Sequence, residues 1–263
     1  MNETFTIATQ VSYRDVDRTE VLSLPGVFRF LQEGAIRHAN EFDTGTRAMV
    51  TRGETWVLNR MAVNVARYPR FEETLRIETW SSGIKGFKGY RDFRVYDAQE
   101  RCVIAGSSLW LYVSVRTKAI VRVPRDVAAG FPTHAADVFC PGLESLEFAV
   151  PEESAAVWEV ALRYSDIDVN EHVNNTAYLE LVQTALARAG LSPRPAEVRI
   201  KYAKAIPAAM DAVNVRIAAK SGGGDCHLLY DNVAGTVARF SVEREGVVFA
   251  VGEVEGPRRL NHG

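Results

Sequence analysis

The alternation of hydrophobic and polar residues along the chain has the same form twice. Residues 5–13 and 158–164 alternate apolar with polar side chains, which is typical of a half-buried β-strand. Each stretch leads into an acidic segment and then into apolar residues at helical spacing, around residues 27–35 and 178–186. The pattern therefore predicts a strand, a loop and one long helix in each half of the chain.

Several strand-like segments follow each predicted helix. They comprise residues 56–68, 74–81, 90–96 and 103–115 in the first half, and residues 198–203, 212–218, 227–233, 236–243 and 247–254 in the second. Glu245-Gly246 is typical of a hairpin turn between the last two. Strands in succession favour an antiparallel sheet, and a helix with a broad apolar stripe needs a sheet wrapped around it. The expected fold class is α+β, a tandem double hotdog in which each curved antiparallel sheet wraps around one long central helix.

The two halves align without a gap at a separation of 151 residues, the distance from Tyr13 to Tyr164. The identical pairs include Tyr13 with Tyr164, Asp15 with Asp166, Asp17 with Asp168, Glu20 with Glu171 and Gln32 with Gln183. Such self-similarity indicates an internal repeat. We expect an N-terminal hotdog at residues 1–132, a proline- and glycine-punctuated linker at residues 133–153 and a C-terminal hotdog at residues 154–263.

Composition restricts the classes of function. Hydrophobic residues make up 47% and charged residues 24% of the chain, as in soluble globular proteins. The 31 basic and 33 acidic residues give no excess of positive charge for a nucleic acid. Cys102, Cys140 and Cys226 are too scattered for a disulfide framework or a zinc site, which favours a reducing compartment. With no signal peptide and no apolar run of about 18 residues, we expect a cytoplasmic protein without a membrane span.

The copies differ most informatively in the loop before the helix. The second copy carries Asp168, Asn170 and His172, whereas the first has the aspartate but neither the amide nor the imidazole. Alternating along an extended segment, the three side chains can face one pocket. There a carboxylate can activate water or attack directly, an imidazole can orient water or move its proton, and an amide can bind the imidazole or a carbonyl oxygen. Asn174 or Asn175 is the expected N-cap of the following helix, whose free N–H groups favour negative charge. Ordinary turn and capping chemistry is the alternative interpretation.

The sequence around this loop resembles the signature of the acyl-acyl carrier protein thioesterases of plants and bacteria. The resemblance is carried by residues 163–178, and its most specific part is the Asn-x-His-Val-Asn-Asn run at residues 170–175. Short segments of the first half also occur in family order, among them Trp56-Val57, Arg67-Tyr68-Pro69, Gly89-Tyr90-Arg91-Asp92 and residues 105–110. The family implies a tandem hotdog that hydrolyses fatty acyl-carrier-protein thioesters to free fatty acid and carrier thiol without a cofactor. It also implies a first copy that is catalytically silent and chiefly forms the acyl pocket.

Carried over residue by residue, the resemblance implies that Asp168, Asn170 and His172 are catalytic. The expected substrate-binding residues are Asn174, Asn175, Tyr178, Trp56 and Glu33. The expected partners are an acidic acyl carrier protein with its phosphopantetheine arm and a fatty acyl chain, with no nucleic acid; self-association as a homodimer is left open. We expect no metal, because the dispersed histidines and the motif residues do not make a zinc ligand set.

The chain departs from the family pattern after the second helix. The family has a Glu-Cys pair there, whereas alignment through Tyr202 places Ala205 and Ile206 at those positions, and neither can transfer a proton. Thr184 also stands where many members have a glutamate, which the first copy keeps as Glu33. An acyl-coenzyme A thioesterase, a non-catalytic acyl-binding protein and a hotdog hydratase therefore stay open as alternatives.

Three other features of the sequence can be interpreted without a catalytic role. Neighbouring residues on a strand point to opposite faces, so Cys226-His227 is not expected to form a nucleophile pair. His38 continues the apolar stripe of the first helix, which favours a buried structural histidine. The basic residues scattered over 188–204 could contact a carrier protein or simply form a solvated face.

Overall fold

The computed structural model describes residues 4–42, 45–134, 137–152, 155–220 and 236–256. The chain divides into two compact units, Met1–Leu146 and Glu147–Gly263. The strand predicted at residues 227–233 and the Cys226-His227 pair lie outside the described residues. Among the described helices, none has the length and hydrophobicity needed to cross a bilayer.

The first unit is an antiparallel sheet packed on one long helix. Its elements are β1 (Phe5–Gln10), α1 (Leu24–Asn40), α2 (Thr46–Arg52), β2 (Glu54–Val65), β3 (Thr74–Lys85), β4 (Lys88–Tyr96), β5 (Cys102–Ser114) and α3 (Arg125–Gly130). The strands are ordered β1-β3-β4-β5-β2. The apolar stripe of α1, with Val27 and Leu31 fully buried, packs against this sheet. Each such side chain contributes about 1.5–3 kcal/mol by leaving water.

The second unit repeats this arrangement. Its elements are β6 (Ala156–Ala161), α4 (Asn175–Arg188), β7 (Glu197–Tyr202), β8 (Ala212–Lys220), β9 (Val237–Arg244) and β10 (Val247–Glu255). The described strands are ordered β6-β8-β9-β10-β7, which is the order of the first unit. Glu245 and Gly246 form the predicted turn between β9 and β10, with φ values of 51° and 77°. The predicted α+β tandem hotdog is therefore confirmed.

The elements repeat at the spacing read from the sequence. Strands β1 and β6 begin at Phe5 and Ala156, and helices α1 and α4 begin at Leu24 and Asn175; both pairs are 151 residues apart. Loops tolerate insertions more readily than packed elements do. The equal spacing therefore means that any difference in length between the copies lies beyond the starts of the helices.

A segment after α3 covers the face of the first sheet opposite to α1; we call residues 137–146 the strap. Cys140 and Leu143 of the strap are buried against β2 and β5. The Phe139 N–H donates to Asp92 Oδ1, and the Cys140 N–H donates to Ser107 Oγ, both at 2.9 Å. This stretch of the predicted linker is therefore folded as part of the first unit.

The short helices α2 and α3 were not predicted from the sequence. Met49 of α2 and Val127 of α3 are buried in one cluster with Tyr112 of β5, and Trp56 packs against that cluster. Helices of this length have too few turns to produce a clear apolar period, and their burial depends on residues distant in sequence.

Candidate active site

The motif of the second copy forms a tight hairpin before α4. Ile167 and Val173 face each other in an antiparallel bridge, and the Asp168 N–H donates to the His172 carbonyl at 2.9 Å. Glu171 has a left-handed backbone with φ 59°, and its N–H donates to the Asp168 carbonyl at 3.0 Å. The expectation of an extended segment at residues 168–172 is therefore wrong. The residue at 171 reverses the chain, which still brings Asp168 and His172 to adjacent positions across the hairpin.

The Asp168 carboxylate is partly used by the turn itself. Its Oδ1 accepts the Asn170 backbone N–H at 2.8 Å, and the Asn170 amide nitrogen lies 3.5 Å from Oδ2. Such a bond is the usual way in which an aspartate stabilises a turn two residues on. Asp168 is half-buried and Asn170 exposed, so the carboxylate can also reach water.

His172 is held at the other side of the hairpin. Its backbone bridges to Pro207, and the neighbouring Val173 N–H donates to the Ile206 carbonyl at 3.0 Å. The imidazole is half-buried. Among the hydrogen bonds of the described residues, none joins this imidazole to Asn170, whose amide lies beside the carboxylate instead. A role of Asn170 in binding a carbonyl oxygen suits this placement better than a role in fixing the imidazole.

The predicted N-cap is confirmed at Asn174. Its side-chain oxygen accepts the backbone N–H and the hydroxyl of Thr176, both at 2.9 Å. Asn175 is the first residue of α4, and its carbonyl accepts the Tyr202 hydroxyl at 3.1 Å. The Asn174 side chain thus caps the helix, which fixes the N-terminus of α4 next to the hairpin. Contact of Asn174 or Asn175 with a substrate stays a prediction.

Tyr178 lies under the hairpin and is 1% exposed. Its hydroxyl accepts the Ile206 N–H at 3.0 Å and donates to the Lys204 carbonyl at 3.2 Å. Its ring packs edge to face on Tyr202, with the centroids 5.3 Å apart. Burial raises the pKa of the Tyr178 phenol well above its usual value, so the group stays protonated and can donate at any pH of interest.

The residues at the positions of the family's Glu-Cys pair lie beside the hairpin. Strand β7 ends at Tyr202, and the chain then runs past the motif, where Ile206 is completely buried and Ala205 exposed. Since the Ile206 carbonyl accepts the Val173 N–H, this departure from the family falls directly next to His172. Neither side chain supplies a proton donor, an acceptor or a nucleophile.

Trp56 and Glu33 belong to the first unit. Trp56 packs edge to face on Tyr112 at 4.8 Å between ring centroids. Glu33 is 52% exposed on α1 and accepts a hydrogen bond from Arg37 at 2.6 Å. Trp56 therefore has a packing role in the first unit, and Glu33 an ion pair on a helix surface; contact of either residue with a substrate stays a prediction.

The first copy builds the same hairpin. The Asp17 N–H donates to the Val21 carbonyl at 2.9 Å, and Glu20 has φ 60°. Asp17 Oδ1 accepts the Thr19 N–H at 2.8 Å, as Asp168 does for Asn170. The shared aspartate is therefore part of the turn in both copies, and the imidazole distinguishes the second.

The basic residues around β7 are engaged in ion pairs. Arg199 pairs with Glu197, and the Lys201 ammonium lies 3.6 Å from a Glu147 carboxylate oxygen. Among the described residues, no group of three or more His, Cys, Asp or Glu side chains is arranged to hold a metal ion.

Two family models match the chain in sequence order. The acyl-ACP thioesterase N-terminal domain matches residues 2–131, and the acyl-ACP thioesterase C-terminal domain matches residues 150–238. An acyl-[acyl-carrier-protein] hydrolase of Cuphea viscosissima is 32% identical over 62% of this chain and 42% of its own length. A dodecanoyl-[acyl-carrier-protein] hydrolase of Cinnamomum camphora is 28% identical over 85% of this chain and 59% of its own length. The matched region thus spans about half the length of these relatives, both of which are named as chloroplastic.

Solved structures share the fold over nearly the whole chain. A crystal structure of an acyl-ACP thioesterase from Bacteroides thetaiotaomicron has a TM-score of 0.78 at 18% identity and covers 96% of this chain and 97% of that one. A 12:0-ACP thioesterase from Umbellularia californica has a TM-score of 0.77 at 21% identity and covers 96% of this chain and 93% of that one. Together with the two matched domains, in the order expected from the repeat, these findings show that the chain belongs to the acyl-ACP thioesterase family.

Proposed function

We propose that the chain hydrolyses fatty acyl thioesters of an acyl carrier protein, which yields a free fatty acid and the carrier thiol. The observation that carries this proposal is the hairpin at residues 168–172. In a chain of this family, it presents a solvent-accessible carboxylate and an imidazole beside a helix N-terminus, and the matching hairpin of the first copy has no imidazole.

The chemistry needs a water, a base and a site for developing charge. Asp168 takes a proton from water, and the water oxygen bonds to the acyl carbon as the bond to sulfur breaks. Alternatively, Asp168 attacks the acyl carbon itself and displaces the sulfur, and water then hydrolyses the resulting anhydride to the free acid and the Asp168 carboxylate. His172 orients the water and passes a proton to the departing sulfur, so that the carrier leaves as a thiol. Asn170 and the N-terminal end of α4 favour the negative charge that develops on the carbonyl oxygen.

The absence of the family's Glu-Cys pair restricts this mechanism. With Ala205 and Ile206 beside the hairpin, the step relies on Asp168, His172 and water. The same observation favours a second candidate, a non-catalytic protein that binds acyl chains. Product analysis separates the two, because only the enzyme converts the bound thioester to acid and thiol.

The partners follow from the proposed reaction. They are an acyl carrier protein with its phosphopantetheine arm and the fatty acyl chain, with coenzyme A as the alternative carrier. A homodimer and a cytoplasmic location stay predictions from the sequence.

Thiol release measured across acyl lengths on both carriers tests the proposal. Asp168→Asn and His172→Ala should each lower turnover by at least about 10²-fold, the lower range for loss of a general acid or base. Asp17→Asn is the matched control, since it changes the same turn contact in the first copy. Turnover near that of the wild type in well-folded Asp168→Asn would refute the assignment, and acyl binding without thiol release would establish the second candidate.

A further inference from the structure

The Tyr178 hydroxyl is bonded on both sides to one backbone segment. It accepts the N–H of Ile206 and donates to the carbonyl of Lys204, at 3.0 and 3.2 Å. The Ile206 N–H is buried, and a buried donor without an acceptor costs about 1–3 kcal/mol. Tyr178 therefore fixes the segment at residues 204–206 against α4.

That segment in turn holds the motif hairpin. The Ile206 carbonyl accepts the Val173 N–H at 3.0 Å, and the Ala208 N–H donates to the Glu171 carbonyl at 3.3 Å. His172 lies between these two bonds and bridges to Pro207. The phenol is thus connected to the backbone of His172 through a single short segment.

The first copy makes the same hairpin contacts without a tyrosine. There the Leu22 N–H donates to the Pro69 carbonyl at 2.8 Å, and the Phe71 N–H donates to the Glu20 carbonyl at 2.9 Å. Pro69 thus occupies the place of Ile206, and Val27 stands 151 positions before Tyr178. Since proline has no N–H, the first copy needs no acceptor at this point, and a buried valine suffices.

We propose that Tyr178 is a positioning residue that sets the orientation of the His172 imidazole through the segment at residues 204–206. The first copy shows that the hairpin itself folds without this hydroxyl, and the hydroxyl occurs in the copy that carries the histidine. The inference rests on the proposed thioester hydrolysis, and it replaces direct substrate binding as the role of Tyr178. Tyr178 acts through His172 and does not touch the reacting atoms.

Tyr178→Phe removes the hydroxyl and keeps the ring. We expect kcat for thiol release to fall at least about tenfold with KM unchanged within about twofold, because small misplacements of a catalytic group are costly. Tyr202→Phe is the matched control, since it removes from the packed partner ring a buried hydroxyl that donates to the Asn175 carbonyl. We expect it to leave kcat within about twofold. An equal loss in both variants would overturn the proposal, because general loosening of the tyrosine pair would then explain it.

Combining Tyr178→Phe with Ile206→Pro separates positioning from simple stabilisation. The double variant removes the hydroxyl together with the N–H that it satisfies, as in the first copy. We expect kcat to stay at least about tenfold low in the double variant, although the N–H that the hydroxyl satisfied is gone. Recovery of wild-type kcat would show that Tyr178 only satisfies a backbone donor.

Histidine NMR on labelled protein makes the test independent of the proposed reaction. In Tyr178→Phe the His172 ring resonances should shift, and in Tyr202→Phe they should stay close to those of the wild type. Unchanged His172 resonances in Tyr178→Phe would overturn the positioning role. A wild-type protein that releases no thiol would refute the proposed function, and the resonances would still decide the role of Tyr178.

Discussion

The hairpins at residues 17–21 and 168–172 share one backbone and differ in their side chains. Both close with the same bond between the first N–H and the fifth carbonyl, both place a glutamate at positive φ, and both use an aspartate to bind the N–H two residues on. The first copy continues with Thr19 and Val21, and the second with Asn170 and His172. The aspartate alone therefore says little about chemistry, because it stabilises the turn in either copy.

The comparison extends to what supports each hairpin. In the second copy a buried tyrosine, and a backbone N–H at residue 206 that donates to its hydroxyl, stand where the first copy has a valine and a proline. The hairpin of the first copy is thus supported by apolar residues, whereas the hairpin that carries the imidazole is supported by a hydrogen-bonded polar pair. Buried polar groups of this kind are stabilising only when each has a partner, and they then restrict the geometry.

Exchanging the turn side chains should have the largest effect. Asn170→Thr with His172→Val gives the second hairpin the side chains of the first, and a threonine can keep a bond to the aspartate, as the Thr19 hydroxyl does to Asp17 at 2.6 Å. We expect thiol release to fall at least about 10²-fold. The thermal midpoint should move by no more than about 3 °C, since the turn contacts survive. The reverse exchange, Thr19→Asn with Val21→His, is the control and should add no activity; substantial turnover in the first variant would show that the imidazole does not separate the copies.

A buried histidine on α1 has no counterpart in the second unit, so we expect the first unit to be more sensitive to acid. His38 is 1% exposed on α1, with its Nδ1 2.9 Å from an Arg91 nitrogen, whereas the residue 151 positions later is Ala189. Burial first, and then Arg91, lowers the pKa of His38 from 6.5 to about 3. Below pH 6.5 His38 binds a proton in the unfolded chain, whereas in the folded unit it stays neutral down to about pH 3. The free energy of unfolding should therefore fall by up to about 1.4 kcal/mol per pH unit between pH 6.5 and 3.

Hydrogen exchange resolved by residue between pH 7 and 4 can measure this difference. Core amides of the first unit should lose protection faster than those of the second as the pH falls. His38→Gln, which keeps an acceptor toward Arg91, should flatten the dependence of the first unit. An unchanged slope in that variant would mean that another group causes the acid sensitivity.

The smallest effect should come from the left-handed glutamates. Glu20 and Glu171 have φ values of 60° and 59°, which disfavour any side chain with a Cβ atom. Glycine relieves this strain but loses more freedom on folding. We expect Glu20→Gly and Glu171→Gly each to raise the free energy of unfolding by about 0.5 kcal/mol, as measured by urea titration. Stabilisation in one copy and destabilisation in the other would contradict the equivalence of the two turns.

Most of the fold could be predicted from local patterns in the sequence. The apolar stripes of α1 and α4, the alternation in the strands and the Asn174 cap all act within a few residues of sequence, so they could be read directly. The helices α2 and α3 and the strap could not, because their burial depends on residues far along the chain. Trp56 shows the same limit, since its contact with Tyr112 joins two strands.

The candidate site was predictable in part. The motif residues do gather on one turn, but the reversal at Glu171 has no signal in a glutamate, whose side chain is rare at positive φ. The bonds of Tyr178 were missed because the resemblance implied a substrate contact for this residue, and because its partners lie 26 and 28 positions further along the chain. The change from Val27 to Tyr178 is visible at the 151-residue spacing, whereas the equivalence of Pro69 and Ile206 is visible only from the hydrogen bonds of the two hairpins.

The strap extends the first unit beyond the end of its repeat. As a repeat it finishes with β5 at Ser114, yet its sheet continues to receive backbone donors from Phe139 and Cys140. A chain truncated at Ser114 would lack the N–H donors to Asp92 and Ser107, and the apolar surface beneath Leu143 would be exposed. The repeated stretch and the stretch needed to cover the first sheet are therefore of unequal length.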